Sequence, residues 1–212
     1  MDWRLYRRLP GYGSASVRSI ILYRNDYVME IFLIRHTTPL VAKGTCYGQT
    51  DLDVTETFEQ EAKEVKMRLP EKLESVYCSP LQRCHKLAGK VFPDVEKIFD
   101  DHLKEIHCGE WEMKLWDDIP KEILNPWMND FVNQPFPGGE NYLALFERSV
   151  RSFEKIAKEN LPAAIFTHGG VIRSILSHIT STPLKDSFSA FEIPYGSVVK
   201  IEKKGIGWSI KR

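Results

Sequence analysis

From Met29 onward the chain alternates short β-branched or apolar runs with longer stretches of helical period, and this alternation is the strongest constraint on its fold. Parallel strands cannot be joined by a tight turn; they need a crossover of about a dozen residues or more, most often a helix. Glu30-Ile31-Phe32-Leu33-Ile34 reads as a buried strand that opens at Met29. Phe58, Ala62, Val65 and Leu69 then recur at helical spacing after Thr55, an expected N-cap, and predict an amphipathic helix with one face on a sheet. Ser75 to Cys78 reads as a second strand, with Ser79 as N-cap and Pro80 as first residue of a helix running to about Val91. Leu143, Phe146, Val150, Phe153 and Ala157 mark a long helix that ends near Asn160-Leu161-Pro162, followed by a strand over Ala163 to Thr167. Val171, Ile172, Ile175, Leu176 and Ile179 form a further helical stripe, and closing strands are expected at Ser187 to Ile193 and Ser197 to Glu202. The segment from Trp116 to Gly139, with Pro120, Pro126, Pro135 and Pro137, reads as an insertion carrying short helices. The fold class that follows is α/β, a three-layer sandwich whose mainly parallel central sheet is flanked by helices.

Composition narrows the functional classes. The 212 residues include 29 Lys+Arg and 29 Asp+Glu, a balance that gives a polyanion nothing to bind, so a nucleic-acid partner is not expected. No apolar run approaches the ~18 residues a membrane span needs, and a cytoplasmic globular protein is expected, as monomer or homodimer. Residues 1–28 carry Arg4, Arg7, Arg8, Arg18 and Arg24, lack lysine and show no sustained period, so they read as a poorly structured N-terminal extension to a domain over 29–212. A targeting peptide is the sharper alternative; Asp2, Asp26 and the lack of a long amphipathic helix favour the extension. Cys46, Cys78, Cys84 and Cys108 form no CxxC pair and read as reduced, buried thiols. A zinc site from Cys78, Cys84, His85, His102, His107 and Cys108 would have no recognised ligand spacing, and no metal is expected.

In sheets of this kind ligands gather at the carboxyl ends of the strands. The strand Ile31 to Ile34 runs into Arg35-His36-Thr37, Ser75 to Cys78 into Ser79-Pro80-Leu81-Gln82-Arg83, and Ala163 to Thr167 into His168-Gly169-Gly170. Two histidines and two arginines are thereby directed to one edge. Guanidinium forks match phosphate oxygens, helix N-termini add backbone donors, and imidazole can attack phosphorus. The chain contains no GxxxxGK[ST] loop, HExxH helix or GxSxG elbow, which leaves ATP hydrolysis, zinc proteolysis and α/β-hydrolase chemistry without support.

Five ordered blocks carry a resemblance: LIRHTTP at Leu33 to Pro39, SPLQRCHKLA at Ser79 to Ala88, LKEIHCGEWE at Leu103 to Glu112, PGGEN at Pro137 to Asn141 and THGGVIRS at Thr167 to Ser174. In order and spacing they resemble the histidine phosphatase superfamily, the phosphoglycerate-mutase-like phosphatases. Gly44 to Asp53 is most similar to the alpha-ribazole phosphatase branch, which acts in cobalamin lower-ligand assembly. The resemblance implies a phosphomonoesterase for a small phosphorylated substrate, without cofactor or metal, in which His36 becomes phosphohistidine. It implies that Arg35 and Arg83 clamp the phosphoryl oxygens, that His168 donates a further hydrogen bond, and that Glu105 is the proton donor. An anionic phosphate favours the acid form of a neighbouring carboxyl. His36 should be neutral, its second nitrogen donating to a backbone carbonyl.

Other readings accompany this one. Glu110 and Glu112 are rivals to Glu105 for the proton donor, with a solvated turn as their bland alternative. Thr37, Thr38, Pro39 and Ala42 stand where the family usually has Gly, Glu, Thr and Asn, and Met113 stands where Gly often follows; Thr37 is placed among the phosphate-contacting residues. Gln49 and Tyr47 are candidate contacts for the substrate's base or sugar, and Trp111, Trp116 and Trp127 are either a substrate stack or packing. Lys203-Lys204 and Lys211-Arg212 read as solvated surface. A phosphoglycerate mutase, a broad-specificity phosphatase and a noncatalytic phospho-ligand module are the competing functions. The stretch from Met29 is shorter than the mutases of this fold, and a binding module needs the arginines but neither nucleophile nor proton donor.

Overall fold

The computed structural model describes residues 28–205 and 207–211. The expected extension, apart from Val28, lies outside the described residues. The six described strands are β1 (Met29–Arg35), β2 (Ser75–Cys78), β3 (Lys97–Phe99), β4 (Ala163–Thr167), β5 (Val198–Lys204) and β6 (Gly207–Lys211), in the order β3-β2-β4-β1-β5-β6. β3, β2, β4 and β1 are parallel, while β5 and β6 are antiparallel to their neighbours. The helices are α1 (Phe58–Lys66), α2 (Gln82–Val91), α3 (Lys121–Asn129), α4 (Tyr142–Lys158), α5 (Gly169–Thr180) and α6 (Ser187–Ala190).

The pleat of the central strands makes the three layers. Side chains alternate across a strand, so Ile31, Leu33, Ala163 and Ile165 face one side and Phe32, Ile34, Ala164 and Phe166 the other. The first set packs with Leu145, Phe153 and Ile156 of α4 and Ile172 and Ile175 of α5. The second packs with Ala62 and Val65 of α1 and Cys84, Leu87 and Ala88 of α2. Both faces of β1 and β4 are covered, which is why these strands read as continuous apolar runs. The predicted three-layer α/β fold is the one observed. Among the described residues no helix is long and apolar enough to cross a membrane.

Local differences have identifiable causes. The expected strand over Ser187 to Ile193 is instead α6 followed by an unpaired extended segment. The carbonyls a ladder would need are taken by arginine side chains: Arg173 Nε donates to Phe191 O and Arg35 Nη1 to Ile193 O. α2 begins at Gln82, not at Pro80; Ser79 Oγ is bonded to His168, and the first turn is capped from outside by Asp51 Oδ1 on Gln82 N, 2.7 Å. α1 begins after Thr57, since Thr55 uses its carbonyl to accept Phe58 N. α4 forms where predicted, capped by Asn141 on Ala144 N, but its buried face runs through Leu145, Ser149, Ser152 and Ile156 while Leu143 is exposed. Small serines let the helix approach closely, and Ser152 bonds Asp100. β3 and β6 were not anticipated, and the Lys-rich end is part of a hairpin in which Lys211 pairs with Glu202. Both are short edge strands with little apolar pattern. All four cysteines are free and buried.

Candidate active site

Because β1, β2 and β4 run parallel, their last residues emerge at one edge. Backbone bonds carry the ladder past the strand ends, with His36 N on Thr167 O and Ser79 N on Phe166 O. This fixes Arg35, His36, Ser79 and His168 before any side chain interacts.

His36 is 2% exposed, and its Nδ1 donates to Thr37 O over 2.7 Å. That bond assigns the proton to Nδ1 and leaves the Nε2 lone pair free. Burial, then Arg83 and then Arg35 push its pKa well below 6.5, outweighing the backbone bond, so the ring is neutral. His168 is fully buried, its ring centroid 5.1 Å from that of His36 and its Nε2 2.8 Å from Ser79 Oγ. Burial, followed by Arg83 and His36, lowers its pKa as well.

Arg83 is 0% exposed without any carboxylate partner among the described residues. Its Nη1 and Nη2 donate to the carbonyls of Thr50 and Gly48, while Nε is left without an acceptor. Arg35 donates through Nη1 to Ile193 O, lies 4.0 Å from the Tyr195 ring centre, and likewise has an unpartnered buried Nε. A fully buried guanidinium (Arg83) and a half-buried one (Arg35) with no counter-ion are costly alone and are suited to an incoming anion. Tyr47 and Tyr195 join through their hydroxyls, 2.5 Å apart, beside the two arginines.

Glu105 is held by two backbone donors, Ile106 N on Oε1 and Gly170 N on Oε2. A Cβ at Gly170 would overlap the Glu105 carboxylate and crowd Leu145, so a larger residue here would displace the carboxylate from its present position. Arg35, His36 and Glu105 open into one cavity of about 650 Å³. Its far wall is apolar and aromatic, with Trp116, Trp127, Phe131, Phe136 and Phe188. Trp111 lies behind this wall at 2% exposure, edge-on to Trp116, Trp127 and Phe136.

The remaining sequence-predicted residues take other positions. Gln49 does not line the cavity; its Nε2 donates to the Glu105 carbonyl over 3.0 Å. Thr37 is buried with an unpartnered hydroxyl, and Thr38 bonds Glu61 through both N and Oγ1. Glu110 is exposed. Glu112 is no solvated turn residue: it accepts from Gly48 N, Gln49 N, Thr50 N, Thr50 Oγ1 and Cys108 N. Burial alone would raise its pKa, but the Thr50 hydroxyl and the backbone donors outweigh it and hold the carboxyl below its ordinary value. Sequence reasoning also passed over Arg148. Its guanidinium pairs with both oxygens of Glu140 and donates to the carbonyls of His102, Lys104 and Glu105, fixing the loop that carries Glu105. Glu140 lies within the PGGEN block, the one signal that pointed there.

Residues 31–212 match the histidine phosphatase superfamily (branch 1), and the chain belongs to that family. It is 32% identical over 167 residues to the metal-independent phosphoserine phosphatase of Arabidopsis thaliana, covering 72% of this chain and 69% of that protein. Identity is 26% to the adenosylcobalamin/alpha-ribazole phosphatase of Salmonella typhimurium, over 73% of this chain and 81% of that one. The alpha-ribazole phosphatase of Shigella flexneri shares the fold, with a TM-score of 0.80 at 22% identity over 86% of this chain and 95% of that one.

Proposed function

We propose that residues 29–212 form a metal-independent phosphomonoesterase that works through a phosphohistidine on His36, with alpha-ribazole 5′-phosphate as substrate. The observation that carries the mechanism is a neutral, Nδ1-protonated His36 in the same cavity as Glu105, between two guanidinium groups that lack counter-ions. Arg35, Arg83 and His168 bind the phosphoryl oxygens. His36 Nε2 forms a bond to phosphorus as the ester P–O bond breaks, and Glu105 protonates the departing alcohol. Water then attacks phosphorus, Glu105 takes up its proton, and the P–N bond breaks to release phosphate. The arginines supply the positive charge that a metal would otherwise bring.

The substrate reading is supported by the likeness of Gly44 to Asp53, by the names of the relatives, and by an aromatic wall suited to a flat heterocycle. Its test is kcat/KM for alpha-ribazole 5′-phosphate against ribose 5-phosphate, with chelator present. A preference of about a hundredfold, worth ~2.7 kcal/mol, is expected. Equal values would leave a broad-specificity phosphatase.

A further inference from the structure

Arg35 and Arg83 are held by two separate stretches of chain, each through main-chain carbonyls. In the loop after β1, Gly48 O accepts Arg83 Nη2 over 2.6 Å and Thr50 O accepts Arg83 Nη1 over 2.8 Å; in the extended segment before β5, Ile193 O accepts Arg35 Nη1 over 2.6 Å. Each stretch has its own anchor on the side away from the other. Glu112 collects the N–H groups of Gly48, Gln49 and Thr50, and Arg68 Nη2 donates to Gly196 O over 2.9 Å. Among the described residues one hydrogen bond joins the two stretches to each other, that between the Tyr47 and Tyr195 hydroxyls. Tyr47 directly precedes Gly48, and Tyr195 stands two residues past Ile193 and directly before Gly196, whose N–H donates to the His36 carbonyl over 3.0 Å.

The rings reinforce this tie. The Arg35 guanidinium lies 4.0 Å from the centre of the Tyr195 ring and that of Arg83 5.7 Å from the centre of the Tyr47 ring, so each tyrosine meets the arginine that its own stretch of chain holds. The Tyr195 ring centre is also 5.5 Å from that of His36. Both arginines are near enough to His36 to depress its pKa, and like charges gathered this closely repel one another, so their spacing has to be imposed by what holds them. Burial, and then the bond to Tyr195, pushes the Tyr47 pKa up; its hydroxyl stays protonated and brings no negative charge to compete for the guanidinium groups.

We propose that the Tyr47–Tyr195 pair is a strap that fixes the spacing of Arg35 and Arg83, which makes both tyrosines positioning residues for phosphoryl binding. Each acts through an arginine and the chain that holds it, and the Tyr47 hydroxyl is thereby committed to Tyr195 instead of to a base or sugar of the substrate. The proposal rests on the phosphomonoesterase reading, in which the two arginines take the phosphoryl oxygens, and is independent of the leaving alcohol.

The test is a double-mutant cycle of Tyr47→Phe, Tyr195→Phe and the two together. It is read as the dissociation constant of inorganic phosphate by titration calorimetry, and as kcat/KM for phenyl phosphate and ribose 5-phosphate, with chelator present. Either single substitution breaks the same bond, so each should weaken phosphate binding by about twofold to tenfold, and the double variant should bind no more weakly than the weaker single. The loss in kcat/KM should be the same fold on both esters. Tyr195→Leu, which also removes the ring beside Arg35, should lose about twofold to tenfold more. Unchanged phosphate affinity in both singles overturns the proposal, even where urea denaturation shows lower stability, since that result marks the pair as structural only. Losses that multiply in the double variant, or a loss confined to ribose 5-phosphate, overturn it as well, the last by making Tyr47 a sugar contact. Phenylalanine keeps both rings in place; should Tyr195→Leu fail to fold by circular dichroism, the phenylalanine cycle decides alone. A wild type that neither binds phosphate nor turns over either ester would remove the phosphatase reading itself, and the strap with it.

Discussion

Glu112→Gln is the substitution whose consequence can be worked out furthest. The two carboxylate oxygens divide their donors: Oε1 accepts Gln49 N and Cys108 N, and Oε2 accepts Gly48 N, Thr50 N and Thr50 Oγ1. In a glutamine one of these oxygens becomes an NH2 group. Whichever way the amide is turned, at least two backbone N–H groups face a donor instead of an acceptor. A lost bond to a charged acceptor costs about 1.5–3 kcal/mol, and Glu112 is only half-buried, so the net destabilisation should be about 2–4 kcal/mol. For a domain of this size that corresponds to a fall in Tm of about 5–15 °C. Function should suffer too, because the carbonyls of Gly48 and Thr50 hold Arg83. The sign with pH also follows. The folded-state pKa of Glu112 is depressed, so its contribution is fully present above the unfolded value near 4.5 and is lost as pH falls through the folded one. Urea denaturation of wild type and variant at pH 7 and pH 4, with kcat/KM at pH 7, tests this. A variant within about 0.5 kcal/mol of wild type at pH 7, with unaltered kinetics, would refute the reasoning.

Three further outcomes are expected. Met113 has φ +65°, a left-handed conformation that suits glycine, and it is 49% exposed; Met113→Gly should stabilise the protein by about 0.5–1 kcal/mol in the same denaturation experiment. With the pKa of His36 depressed, the acid limb of kcat/KM should follow the substrate's own second phosphate ionisation, at about 6, and move with the ester used; a limb fixed near 6.5 for every ester would contradict a neutral, buried nucleophile. His36 and His168 are both lowered in the fold, so the unfolded chain binds more protons below about 6.5; stability should decline as pH drops below that value, and a flat stability profile from pH 7 to 5.5 would count against their burial.

Much of the site was legible because its parts sit at strand ends. Strand β1 is apolar on both faces, ends in Arg35 and is followed at once by His36, and β4 is followed by His168, so apolar runs that stop at polar residues already located the edge that carries the candidate site. The supporting groups were not legible for a physical reason. Glu112 acts on backbone donors about sixty residues earlier, and Arg148 on carbonyls more than forty residues earlier. Backbone groups carry no residue identity, so nothing in the local pattern shows where their partners are. The same effect explains the misread strand before β5: Phe191 and Ile193 have a strand-like pattern, but arginine side chains replace the ladder. Met113 was the reverse case, a departure noticed in sequence whose meaning, a left-handed turn residue, came only from its φ.

The most direct test of the mechanism is to mix wild type and His36→Ala with substrate in the presence of chelator, quench in alkali, and map phosphoryl groups by peptide mass. The mechanism requires an alkali-stable, acid-labile phosphoryl group on the peptide that carries His36 in wild type, formed within one turnover, and neither adduct nor turnover in His36→Ala. Undiminished turnover in His36→Ala, or a phosphoryl group on another residue, would contradict it.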